Sequence, residues 1–154
     1  VQQYINTFHR TPVIVIDYLQ MVPPTSERLT DKQNIDNIML SLRQLKNMGV
    51  PCFVISSLSR VSYDSPIGLS SFKESGSIEF SADVALALDF KAMYTAQINA
   101  KGKVEIDLNH ERSVPVRSLL LTVLKNRLGQ AGTQISFDFT PAGNLFQERG
   151  LFTR

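Results

Sequence analysis

Two short apolar runs bracket an amphipathic stretch of about 17 residues, and this arrangement leaves few folds open. The first run, "VIVI" (Val13–Ile16), consists of four β-branched residues and reads as a buried strand. The second, "PCFVIS" (Pro51–Ser56), reads the same way. Between them, Ile35, Ile38, Met39, Leu42, Leu45 and Met48 recur at spacings of 3, 1, 3, 3 and 3, which is one face of a helix. Thr30 and Gln33 have the spacing of a capping box at its start, and Gly49 and Pro51 punctuate its end. Strand, helix and strand make a βαβ unit, so the two strands are expected to be parallel and adjacent.

Parallel strands bring their C-terminal ends to one edge, which is where ligands bind in open α/β sheets. Asp17 closes the first strand, while Ser56, Ser57 and Arg60 follow the second. A carboxylate with hydroxyls at such an edge suits a hydrated Mg²⁺ and the terminal phosphate of a nucleotide. An apolar run ending in Asp is the Walker B pattern; an Asp opening an ordinary turn fits the same letters.

Further along, "SIEFSAD" reads as a short helix and "VALALDF" (Val84–Phe90) as a third strand. "KVEIDL" alternates like an edge strand, within an otherwise weakly periodic stretch from 91 to 116. "RSLLLTVLKN" (Arg117–Asn126) is a long strand, "RLGQAGT" a hairpin connection, and "QISFDFT" a strand with Ile135, Phe137 and Phe139 on one side. The expected class is therefore α/β: parallel strands with flanking helices, followed by C-terminal antiparallel strands.

Two more groups carry charge. In "FKESG", Lys73 and Glu74 precede Gly76, whose missing side chain would let backbone N–H groups approach a phosphate. A loop leading into a helix capped by Ser75 or Ser77 accounts for the same residues. In "LKNRLG", Lys125 and Arg127 lie two apart at a strand end and so share a side. That is an anion clamp, with Arg as a planar fork and Lys as a point charge, or else a solvated hairpin tip.

The bulk numbers exclude several classes. With 154 residues, 43% hydrophobic and 19% charged, the chain has the makings of a globular core. It lacks an apolar run of the roughly 20 residues that a membrane span needs. A net charge of +2 is too small to argue nucleic-acid binding alone. The one cysteine, Cys52, sits in an apolar run and reads as a buried thiol, which fits a cytoplasmic protein.

Taken in order, "VIVIDYLQMV", "SLRQLKNMGVPCFVISSLSR", "FKESGSIEFSADVAL" and "LLLTVLKNRLGQAGTQISFDF" resemble the C-terminal RecA-like motor domain of DnaB-type replicative DNA helicases. The resemblance runs from about Val13 to Phe146. It implies a RecA-like P-loop NTPase core and ATP hydrolysis with Mg²⁺ in a ring of six copies encircling single-stranded DNA. A helicase loader and primase are further partners it implies. Asp17 matches the Walker B aspartate, serving Mg²⁺ through water. Ser57 stands where the family usually has a glutamine that senses the γ-phosphate. Lys73, Glu74 and Gly76 match the family's DNA-contacting loop. Lys125 and Arg127 match the basic pair given in trans to a neighbour's ATP, with Arg127 as the arginine finger.

Three departures stand out. Ser57 is shorter than Gln, and Lys73 replaces an Arg and so gives up a bidentate phosphate contact. No G-x-x-x-x-G-K-[ST] occurs anywhere in the chain. The chain also opens on Val1 rather than Met. The expectation is a fragment of a helicase motor whose P-loop and catalytic glutamate lie upstream, inactive alone. A RecA- or RadA-like recombinase and a degenerate interaction module are the rival readings.

Overall fold

The computed structural model describes residues 1–59, 65–72, 75–95 and 106–153. Arg60, Lys73, Glu74 and the first half of "KVEIDL" lie outside the described residues. The chain forms two compact units, Val1–Ser59 with Phe72–Ser81 and Arg60–Ser71 with Ala82–Arg154. The elements make a mixed α/β fold with a small parallel sheet and a four-stranded antiparallel sheet.

In the first unit, β1 (Ile14–Ile16) and β2 (Cys52–Val54) pair in parallel, with Val15 opposite Phe53. Between them runs α2 (Asp31–Asn47), preceded by a short α1 (Gln2–Phe8) and joined later by α3 (Ser75–Ser81). The α2 start is the expected capping box: Gln33 N–H donates to Thr30 Oγ1 at 3.2 Å, and Thr30 N–H donates to Gln33 Oε1 at 3.0 Å. At its end Gly49 takes φ 76°, a left-handed turn that residues with a Cβ resist.

The apolar stripe becomes the core of this unit. Ile35, Met39 and Leu42 are buried with Leu19 and Ile78, while Ile16, Ile38, Leu45, Cys52, Val54 and Phe72 pack against them. Met48 departs from expectation and is 43% exposed, because the helix has ended at Asn47. Cys52 is half-buried, its thiol facing the Val50 carbonyl at 3.6 Å, and burial pushes its pKa up, away from nucleophilic use.

In the second unit the sheet order is β3-β4-β5-β6, all antiparallel, with β3 Val84–Phe90, β4 Arg117–Asn126, β5 Gln134–Thr140 and β6 Leu145–Leu151. Leu86, Val123, Leu88, Leu121 and Ile135 fall on one side through cross-strand pairing. On the other side, Ala85, Ala87, Leu120, Thr122 and Ser136 are buried. A buried hydroxyl must find a partner, and Thr122 accepts from the Gln134 amide at 3.0 Å.

Three elements differ from the sequence reading. The first strand is one residue shorter than Val13–Ile16. The opening α1 was not expected; it buries none of its residues, so its pattern lacks a core-facing stripe. Leu108, the last letter of the alternating "KVEIDL", instead opens α5 (Leu108–Ser113), after the four-residue α4 (Ala92–Thr95). Asp107 caps α5 by accepting from the N–H groups of Asn109 and His110.

Candidate nucleotide and anion sites

The β1–β2 edge is built by backbone first. Ile55 N–H donates to the Ile16 carbonyl at 2.9 Å, and the Ile55 carbonyl accepts from Leu19 N–H at 2.8 Å. Both bonds grip one residue, so Asp17 and Tyr18 bulge out between them, joined by a cis peptide bond. Asp17 is exposed at the C-terminal end of β1, and Leu19 is 1% exposed beneath it. A turn at Leu19–Met21 then presents Gln20, a residue that sequence reading did not single out. Gln20 Nε2 donates to Ser56 Oγ at 3.1 Å, and Gln20 Oε1 accepts from Ser57 N–H at 3.1 Å. The parallel pairing thus brings Asp17, Ser56 and Ser57 to one sheet edge, as the sequence implied.

These are hard oxygen donors, suited to Mg²⁺. Among the described residues no group of three His, Cys, Asp or Glu side chains could hold a metal ion. A single carboxylate fits an ion that keeps several waters and shares its remaining positions with phosphates. Asp17 would hold such an ion through water.

The basic pair belongs to the second unit. Lys125 lies within β4, opposite Ala85, where a bulge between Ala85 and Leu86 shifts the register. Arg127 sits in the turn after β4 and is 46% exposed. Its guanidinium lies 3.2 Å from the Asp83 carboxylate, and its N–H donates to the Asp83 carbonyl at 2.9 Å. Asp83 is the second residue that sequence reading missed as a partner; its only signal was its place just before the Val84 strand. Leu128, next in the turn, is 89% exposed. Lys125 and Arg127 therefore belong to a hairpin whose tip reaches solvent.

Gly76 lies inside α3 rather than in a loop ahead of it, and open space surrounds the position its Cβ would take. Ser77 also lies within the helix and so is not its cap. Lys73 and Glu74, the other residues expected there, lie outside the described residues.

Comparison with known proteins follows the same segments. The family model of the DnaB-like helicase C terminal domain matches residues 1–148. The replicative DNA helicase DnaB of Geobacillus stearothermophilus is 32% identical over 118 residues, covering 73% of this chain and 26% of that protein. The replicative DNA helicase DnaC of Bacillus subtilis is 30% identical over 118 residues, with the same coverage of 73% and 26%. The probable replicative DNA helicase of Trieres chinensis is 31% identical over 132 residues, or 82% of this chain and 26% of its own. A solved structure of a DnaB-like replicative helicase and its interactions with primase superposes with TM-score 0.68 at 24% identity. The superposition covers 94% of this chain and 34% of that one. The chain thus spans about a quarter of the length of these curated relatives.

Proposed function

Because the chain belongs to the DnaB-like helicase C-terminal domain family, we propose that the intact protein is an ATP-dependent replicative DNA helicase and that this segment is part of its RecA-like motor. The observation that carries the reading is the placement of Asp17 and Ser57 at the same C-terminal edge of a parallel βαβ unit, inside a segment matched by that family.

In this reading Asp17 would hold Mg²⁺ through the ion's water shell. Mg²⁺ held there with ATP would supply neutralisation of the charge on the transferred phosphoryl group. Ser57 faces the terminal phosphate from the neighbouring strand end. Lys125 and Arg127 reach the same triphosphate from an adjacent copy, and Arg127 stabilises charge as the phosphoryl group leaves. Sites shared head to tail between copies close into a ring, of six in this family's pattern. Lys73, Glu74 and Gly76 contact the phosphates of single-stranded DNA, which makes that affinity sequence-independent and salt-sensitive. Loader and primase are the further partners. The P-loop cradle that fixes the phosphates is not among these 154 residues, so the chain alone has no appreciable ATPase activity.

Mixing two inactive variants tests the shared site. Asp17→Asn and Arg127→Ala each abolish hydrolysis in the intact protein. Combined in equal amounts, roughly a quarter of the interfaces in a random ring regain both groups, and partial ATPase activity returns. A mixture as dead as its components would end the trans assignment.

A further inference from the structure

We infer that Gln20 is the positioning residue of this edge: its amide sets the Ser56–Ser57 turn against the end of the strand that carries Asp17. The inference rests on the reading of that edge as the nucleotide site and adds a residue to it.

The geometry leaves the amide little choice. Beyond Val54 the strand pairing is over, and the last backbone bonds are the two made by Ile55. From there Gln20 takes over the connection, spanning 36 and 37 residues of sequence with two hydrogen bonds of 3.1 Å. They run in opposite senses. Ser57 N–H can only donate, so it fixes the Gln20 carbonyl toward itself, and the NH₂ group is then turned to Ser56 Oγ. Ser56 Oγ in turn donates to the Ser57 carbonyl at 3.3 Å, closing a small network around the peptide of Ser57. The base of Gln20 is equally fixed, because its neighbour Leu19 is 1% exposed and bonded to Ile55.

A short side chain at 57 makes this clamp matter more. A serine has one rotatable bond with which to find a phosphate, so its hydroxyl goes where its backbone is placed. Displacement of a positioning group by about 1 Å costs on the order of a hundredfold in rate when the reacting geometry is tight. Gln20 thereby acts on the chemistry through Ser57 and not by touching nucleotide itself.

The test is made in the intact helicase with Gln20→Met, which keeps length and volume but removes both hydrogen bonds. We expect kcat for DNA-stimulated ATP hydrolysis to fall about tenfold or more. KM for ATP should stay within about twofold, because the binding groups remain. Ser56→Ala should cost less, and the double variant should lose clearly less than the sum of the two single losses, since both remove the same Gln20–Ser56 bond. Unchanged kcat in Gln20→Met, or full additivity with Ser56→Ala, overturns the inference. Asp17→Asn separates the two levels. If that variant still hydrolyses ATP, the edge is not the nucleotide site. If it is dead while Gln20→Met turns over normally, only the role of Gln20 fails.

Discussion

Arg127 is held twice by Asp83, once through its guanidinium at 3.2 Å and once through its backbone N–H at 2.9 Å. The backbone bond joins the end of β4 to the residue just ahead of β3, so it fixes where the hairpin begins. The side-chain pair is half in water, which limits its worth to stability to about 1 kcal/mol or less. An arginine so placed is oriented without being buried, and it can exchange one anion for another.

Arg127→Ala in the intact protein should lower kcat for ATP hydrolysis by about a thousandfold or more, the loss associated with removing an arginine finger. Nucleotide binding, followed with a fluorescent ATP analogue, should stay nearly unchanged. If affinity falls and turnover per bound nucleotide does not, the residue serves binding and not the transition state.

Lys73→Ala should weaken single-stranded DNA binding equally for all sequences. The slope of log affinity against log salt should shrink by about 1, the share of one phosphate contact. Unchanged affinity at low salt would remove the loop from the DNA interface.

Thr30→Ala should cost about 1 kcal/mol in urea unfolding, because the mutation strands the N–H of Gln33, while the Thr30 backbone N–H keeps its bond to Gln33 Oε1. A Thr30→Ser variant should restore most of it, since the hydroxyl is what the cap uses.

Asp89 offers a pH test. Burial raises its pKa above 3.8, against the opposing pull of N–H groups from Phe90 and Ile67. Its Oδ1 accepts from Phe90 N–H at 2.8 Å, while Oδ2 is buried with no hydrogen-bond partner among the described residues. A carboxyl whose folded pKa is raised binds its proton more tightly in the native state. Stability therefore declines as pH climbs from about 3.8 through the folded pKa, and is level above it. Asp89→Asn cannot ionise and should remove that decline, read as a flatter plot of unfolding midpoint against pH. An identical slope in both proteins would show that another group is responsible.

Elements that bury a regular face were legible in the letters. The bounds of α2, β4 and β5 follow directly from capping residues and alternating side chains. The edge position of Asp17 and Ser57 followed as well, because it needs only that two neighbouring strands be parallel. The parts that escaped notice obey no period. Gln20 and Asp83 find partners 36 and 44 residues away, and single polar side chains leave no pattern that announces such distant bonds. The first helix, α1, buries nothing and so imposes no stripe. A loop leading into a helix capped by Ser75 or Ser77 accounts for the letters around Gly76, yet Gly76 takes the second position of α3, where glycine meets little resistance.

The double grip on Ile55 has a practical side for enzymology. Residues 17 and 18 are looped out of the hydrogen-bond ladder, and the Asp17 side chain stands in solvent. Replacing that one carboxylate leaves the scaffold's own bonds in place. If the proposed role of Asp17 holds, activity lost on substitution there reflects chemistry and not a disturbed fold.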